Sequence, residues 1–428
     1  MEGTAPVSLR SYWRLLRTNR NFRLLWTAQL ISEIGDWLYS VAIYSLLLKE
    51  TGSARAVAFA FVLQVLPQFF AAPAAGVLND RLSRKRIMIF SDWARAGITL
   101  LMLLGQLPGY IWLLYVLLCL ETIGWALFEP ARTAVIPNIT RDEEEQLAGN
   151  GLSSTTWSFT LAVGSALGGL VAAWFGRSAT FVLNSLSFVV SGLLLSQMRF
   201  SEPHAENLPP VHARELVNFR PVLEGVQYVQ RDARLFATML IKTGLAFIGS
   251  NWVLLPVLGE REFPLQLPGV KSEAAGMMGM SVLMGCRGVG ALLGPIVWSR
   301  ISGVTAAGLR RGVLLGFFVG AVGYFLFSMA GPLPAACAAI VLAHSGGSVI
   351  WVFSTTMLQM MTEDRFRGRV FSAEYALHTL VLSLVVYSIG HLADAGLSVR
   401  TLAAATAVML AIPGLLWGTA LRLWRRSA

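Results

Sequence analysis

Read for polarity alone, the chain is a succession of long apolar runs separated by short polar breaks. A membrane-spanning helix needs about 20 mainly apolar residues. Runs of that kind cover approximately 22–48, 55–78, 87–107, 110–131, 149–175, 178–198, 235–258, 275–298, 309–330, 333–357, 370–393 and 399–421. They predict an all-α membrane protein with twelve transmembrane helices. The longest break predicts two six-helix bundles, over 1–198 and 235–428, joined by a cytoplasmic linker over 199–234. Within that linker Leu216, Phe219, Leu223, Val226 and Val229 recur at helical spacing among polar neighbours. The pattern predicts an amphipathic helix lying on the cytoplasmic membrane face, interrupted near Pro221.

Composition supports the membrane reading. A chain of 428 residues that is 55% hydrophobic and 14% charged, with a mean hydropathy of +0.60, has too little polar surface to coat a soluble globule. Its net charge of +10 would suit a nucleic-acid partner, but 25 of the 34 Lys and Arg residues lie at the two termini and in the loops after the even-numbered runs. The opposite loops hold only Lys49, Arg55, Arg177, Arg261, Lys271 and Arg400. Since Lys and Arg favour the cytoplasmic side, both termini are expected inside, in a cell (inner) membrane, with no nucleic-acid partner. Arg10, Arg14, Arg17, Arg20 and Arg23 lead straight into the first run without a small-residue cleavage site, so the first helix is expected to direct insertion. Cys119, Cys286 and Cys337 fall inside apolar runs with no paired or ligand spacing, which predicts core packing and no metal.

An ionisable residue near the bilayer centre costs about 2.5–3.5 kcal/mol on insertion scales and is a functional candidate by default. Glu33 lies close to the midplane of the first run, and Gln29, Glu33, Asp36 and Ser40 share a face. The two carboxylates, one turn apart, are expected to bind a proton or a cationic group of a substrate, or to form a buried structural network. Glu121 reaches similar depth in the fourth run, on a face with Trp125 and Phe128. Arg287 and His344 do so in the second half, with Lys242 nearer the cytoplasm. They either neutralise carboxylates across a cavity, hold an anionic part of a substrate, or are satisfied within the core. His391 and Asp394, at the outer end of the eleventh run, are expected to be solvated. Met277, Met278, Met280 and Met284 either line an adaptable cavity or pack. Glycines at 164, 168 and 169, and at 276, 279, 285, 288, 290 and 294, predict close helix packing.

Several motifs carry a resemblance. The break Gly76-Val77-Leu78-Asn79-Asp80-Arg81-Leu82-Ser83-Arg84-Lys85-Arg86 resembles the loop between the second and third helices of the major facilitator superfamily, with Gly76, Leu78, Asp80, Arg81, Arg84 and Lys85 matching. Gly35-Asp36-Trp37, Asp92-Trp93-Ala94-Arg95, Phe128-Glu129-Pro130-Ala131-Arg132 and Gly368-Arg369-Val370 resemble the branch containing the enterobactin exporter and the macrolide efflux proteins. Ile139-Thr140-Arg141-Asp142-Glu143 and Met361-Thr362-Glu363-Asp364-Arg365 echo each other at an offset of 222 residues, as parallel repeats would.

The resemblance implies the major facilitator fold and alternating access by a secondary active exporter. It also implies that Asp80 caps the amino end of the eleventh helix and, with Arg81, holds the cytoplasmic side closed. The superfamily's helix-4 arginine is absent: Leu120 stands there, four residues before Gly124. Ser165 replaces the proline of the exporters' fifth-helix motif. No Gly-x-x-x-x-Gly-Lys-Ser/Thr loop and no His-Glu-x-x-His pair occurs, so neither an enzyme nor a cofactor is expected. Energy is then expected from a proton or another coupling ion, driving a small amphipathic organic substrate across the lipid bilayer. A lipid or lysophospholipid translocator of the same fold, or a non-transporting membrane scaffold, are the alternatives.

Overall fold

The polar breaks become helix caps. In the computed structural model, which describes residues 9–202, 215–268, 274–302 and 305–426, the side chains of Asn19, Ser53, Ser83, Asp142, Asp232 and Thr305 each accept from backbone N–H groups of the helix that follows. Such caps satisfy donors that helix geometry leaves orphaned. Gly52 ends the first long helix at φ 65°, a conformation costly for any residue with a Cβ.

A short helix α1 (Leu9–Thr18) precedes α2 (Arg20–Thr51), α3 (Ala54–Arg81), α4 (Arg84–Leu101), α5 (Ile111–Ile139), α6 (Glu143–Phe175) and α7 (Arg177–Ser196). The linker helix α8 (Arg220–Val229) leads into α9 (Ala233–Leu245) and α10 (Asn251–Arg261). Then come α11 (Ala275–Ser302), α12 (Ala306–Met329), α13 (Leu333–Met361), α14 (Asp364–Asp394) and α15 (Val399–Arg426). Among the described residues eleven spans are long and apolar enough to cross a membrane. The remaining long helix, α2, carries Glu33 and Asp36 at its middle, which lowers its hydropathy. All twelve expected runs are thus helical, and the chain is a multi-pass membrane protein with the twelve-helix architecture.

The seventh run is not one continuous helix. A 3₁₀ segment, Ala246–Ser250, separates α9 from α10. A Cβ on Gly249 would lie 2.1 Å from Leu382 of α14, so glycine allows the chain to pass here and the helical ladder is re-set beside Trp252.

Packing differs between the two ends of the molecule. At the face away from the termini, one apolar cluster joins Tyr39–Leu48 of α2 and Ala54–Phe61 of α3 to α10, α11 and α14. Glycines permit the approach, as expected: Cβ atoms on Gly168 and Gly288 would meet Leu38 O at 2.6 Å and Ala162 N at 2.5 Å. Met277, Met278, Met280 and Met284 are buried in this cluster, so they pack and line no cavity. At the face that carries the termini, the two halves keep separate cores, one around Phe22, Phe128 and Val135 and another around Val229, Leu235 and Val370. The two halves therefore share one core at the far face and keep separate cores at the terminal face.

The linker corrects one expectation. Pro221 sits in the first turn of α8 and begins the helix, because its missing N–H is no loss there. The helix does not lie free on a membrane surface. Gly225 is buried against the Arg369 backbone, and Val226 and Val229 pack with the start of α14, while Leu223 stays exposed. Pro209-Pro210 lies outside the described residues.

Candidate functional site

Three buried ionic networks occupy the middle of the helices. In the first, Arg95 of α4 stands at the centre, 2% exposed. Its Nη2 reaches Asp36 Oδ2 of α2 at 2.8 Å, and its Nε donates to Glu121 Oε1 of α5 at 2.7 Å. The guanidinium also lies 4.1 Å from the Phe188 ring centroid, and Asn184 Nδ2 donates to Asp36 at 3.4 Å. Gly124 makes this geometry possible, since a Cβ there would lie 2.9 Å from Arg95 Cγ. Asp92, one turn before Arg95 and fully buried, makes no hydrogen bond among the described residues. Three carboxylates thus surround one guanidinium.

The second network is toward the terminal face. Glu33 accepts from Gln29 Nε2 at 2.7 Å and from Thr160 Oγ1 of α6 at 2.9 Å. Gln29 Oε1 accepts from Arg132 Nη1 of α5 at 3.0 Å, and Arg132 pairs with Glu129 one turn away. Glu33 and Asp36, expected to act as one pair, therefore belong to different networks. Ser40 donates to the Asp36 carbonyl and does not reach either carboxylate.

The third network is in the second half, where Lys242 of α9 pairs with Glu374 of α14 at 2.8 Å and lies 4.4 Å from the Trp351 ring. His378 Nδ1 lies 2.8 Å from the Lys242 carbonyl. His344 is a satisfied core residue, with Nε2 3.2 Å from Tyr324 Oη. Arg287, 7% exposed, has no carboxylate partner among the described residues and rests 3.9 Å over the Trp252 ring. Cation–π contacts of a desolvated guanidinium are worth about 2 kcal/mol, comparable to the 2.5–3.5 kcal/mol of insertion cost.

The basic loop departs from its expected contacts. Asp80 is exposed, makes no hydrogen bond or ion pair among the described residues, and does not cap α14. On this face the two halves keep separate apolar cores. Arg81 instead pairs with Glu215 of the linker at 2.6 Å. Arg84 donates to the Ala134 carbonyl and Lys85 to the Ser196 and Met198 carbonyls, pinning the loop to its own half. Glu202 caps α4, accepting from Ser83 Oγ and from Arg84 N at 2.7 Å. Around Gly76 a Cβ would meet nothing, so no close contact demands glycine in this arrangement.

Asp394, expected to be solvated, has the role at the far face that Asp80 was expected to have at the terminal face. Although its side chain is exposed, it accepts from Ser53 Oγ, from Ala54 N at 2.8 Å and from Arg55 N at 3.2 Å, at the start of α3. A carboxylate at the carboxyl end of α14 is poorly placed for its own helix and well placed for the amino end of another. Arg261 adds a 2.7 Å bond to the Gly52 carbonyl. Arg95, Arg132, Glu374 and Asp394 were missed as site residues. The first three share one signal, a charge deep within a long helix.

A fold of twelve long helices, with charges buried within them, fits a membrane transporter of the major facilitator type. The profile of the transmembrane secretion effector family matches residues 11–427, and the chain belongs to that family. Among its relatives are macrolide efflux protein A of Streptococcus pyogenes, 27% identical over 383 residues and covering 87% of this chain and 88% of the relative. Macrolide efflux protein A of Enterococcus faecalis is 27% identical over 348 residues, 78% and 99% of the two chains. Two groups of solved structures share the fold. A bacterial homologue of the human drug peptide transporters PepT1 and PepT2 superposes with a TM-score of 0.71 at 13% identity, covering 96% of this chain and 99% of that one. The nucleoside transporter NupG gives 0.70 at 9% identity, covering 93% and 98%.

Proposed function

We propose that the chain is a proton-coupled exporter of amphipathic organic compounds, set in the cell (inner) membrane with both termini cytoplasmic. The terminal face is then the cytoplasmic one, and the structure corresponds to the inward-open state, ready to load from the cytoplasm. The N-terminal bundle (1–198) and C-terminal bundle (235–428) are the two bodies that rock about the central site.

The observation that carries the coupling is the excess of carboxylates around Arg95. Asp36, Glu121 and Asp92 face a single buried guanidinium. Net negative charge in such a place is balanced by a proton or by a cationic group. Asp36 keeps 23% of its side-chain surface exposed, against 8% for Glu121, so it is the member that protons and substrate reach first. Glu33, with its hydrogen bonds to Gln29 and Thr160, is the second carboxylate at this opening. Asp80 acts in the other half of the cycle: once the halves meet on the cytoplasmic face it caps α14, while Arg81 leaves Glu215.

The test is efflux from proteoliposomes under an imposed pH gradient, with a panel of amphipathic dyes. Substrate movement that follows the gradient supports the reading. Flux indifferent to the gradient removes the proton, competition by lysolipids points to the lipid translocator, and no flux of any compound leaves the scaffold.

A further inference from the structure

Among the described residues four cations are buried within the long helices, and three of them have carboxylate partners: Arg95 with Asp36 and Glu121, Arg132 with Glu129, and Lys242 with Glu374. Arg287 does not. It stands at the middle of α11 with 7% of its surface exposed, and its buried Nη1 has no hydrogen-bond partner among the described residues. The ionisable groups close enough to influence it are Tyr44 of α2, Tyr324 of α12 and His344 of α13, none of them an acid at neutral pH. Tyr44 Oη bonds Gln64 at 2.7 Å and Tyr324 Oη lies 3.2 Å from His344, and neither phenol hydrogen-bonds the guanidinium among the described residues.

What surrounds Arg287 is aromatic. Trp252 lies 3.9 Å from the guanidinium carbon and Trp157 of α6 at 5.8 Å. Trp37 of α2 stacks on Trp252 at 5.9 Å and meets Trp157 edge-on at 5.6 Å. Trp252 is buried, but Trp157 is 42% exposed, and Trp37 is part of the same α2 wall as Glu33 and Asp36. Arg287 and Trp157 also belong to different halves, on the two helices that Gly288 brings together against Ala162.

We propose that Arg287, Trp252, Trp157 and Trp37 form a subsite for a carboxylate or similar anion carried beside a planar apolar ring on the transported molecule. This deepens the transporter reading and rests on it. A guanidinium presents a planar fork of donors that a carboxylate oxygen pair matches. Largely buried without a counter-ion, it gains more from an incoming anion than a solvated arginine does, because most of its desolvation is already made. The ring has the exposed Trp157 to stack on, in the offset or edge-to-face arrangements that aromatic pairs adopt. A ligand held this way touches both halves where α6 meets α11, as alternating access needs.

The experiment uses the purified full-length protein in detergent and tryptophan emission as the signal. The probes are 2-naphthoate and benzoate, each paired with its amide. Each acid is expected to bind at least tenfold more tightly than its amide. Arg287→Gln is expected to bring the acids down to the amide level, and Arg287→Lys to fall between. Equal binding of acid and amide by the wild type overturns the proposal, as does an unchanged Arg287→Gln. Should Arg287→Gln not fold, the acid–amide contrast on the wild type decides alone. Gradient-driven flux with no acid preference removes this subsite and leaves the transporter reading standing, whereas acid preference without flux does the reverse.

Discussion

Replacing Arg95 by methionine removes the one cation that Asp36 and Glu121 share. The side chain is nearly isosteric in its apolar stem, so packing against Gly124 and Phe188 survives while the charge is lost. Removing one partner of a buried ion pair typically costs about 3–5 kcal/mol, because the other charge stays buried and uncompensated. Here Glu121 is 8% exposed and takes most of that penalty, whereas Asp36, 23% exposed, recovers part of its hydration. Taking roughly 2–4 °C per kcal/mol for a sizeable domain, the melting temperature should fall by about 6–20 °C. Cys119, Cys286 and Cys337 are free and half-buried, so a thiol-reactive dye followed during heating reads unfolding directly. The double variant Arg95→Met/Glu121→Gln should regain at least half of the loss, since the charge left behind is gone as well. Wild-type melting of Arg95→Met, or a double variant that is worse than the single by the full cost of Glu121→Gln alone, would refute the network.

Other expectations follow from the same contacts. Glu33→Gln and Asp36→Asn should still fold, at a cost of about 1–3 kcal/mol, since each amide keeps one acceptor oxygen and turns its NH2 toward a group that donated to the lost oxygen. Both should lose flux driven by a pH gradient, with downhill exchange surviving in at least one; full pH-driven uptake into inverted vesicles by both variants defeats the coupling role. Asp394→Ala should free the start of α3 and raise the labelling of a cysteine placed at Ala58 from the far face by several-fold, and unchanged labelling means that the apolar cluster closes that face unaided. Cysteines at Gly109 and Ser83 should label from outside and inside the cell respectively, and the reverse pattern would invert the proposed topology.

The fold was legible because a bilayer imposes one simple rule. Runs long enough to span it must be helical, since backbone groups in hydrocarbon have no other partners, and the caps Asn19, Ser53, Ser83 and Asp142 stand in the polar breaks where that rule lapses. Less legible was anything set by contact between distant segments. The break after Leu245 depends on Leu382 pressing against Gly249, and the seating of α8 depends on Gly225 meeting the Arg369 backbone. Neither partner is marked in the sequence of the element it shapes. Asp80 shows a further limit: its expected contact lies across the two halves, and the structure gives it no partner among the described residues.

The candidate site was legible by depth and illegible by direction. Charges within long apolar runs correctly marked Glu33, Asp36, Glu121 and Arg287 as buried or half-buried, and the same rule applied to Arg95 and Glu374 would have found their networks. Pairing Glu33 with Asp36 failed because helical neighbours three residues apart still diverge by about 60° around the axis. That divergence sends Asp36 toward Arg95 on α4 and Glu33 toward Thr160 on α6. Helix α2 is thus a shared wall between two ionic systems, and a proton on one carboxylate does not by itself relieve the other. If coupling needs both, the two single variants must fail at different steps. Asp36→Asn alters the charge felt by the interface of α2, α4 and α5, whereas Glu33→Gln alters the bond between α2 and α6. Since α6 is the first-half helix that Gly288 of α11 packs against, the proposed coupling assigns to Glu33 the link between protonation of the first half and movement of the second.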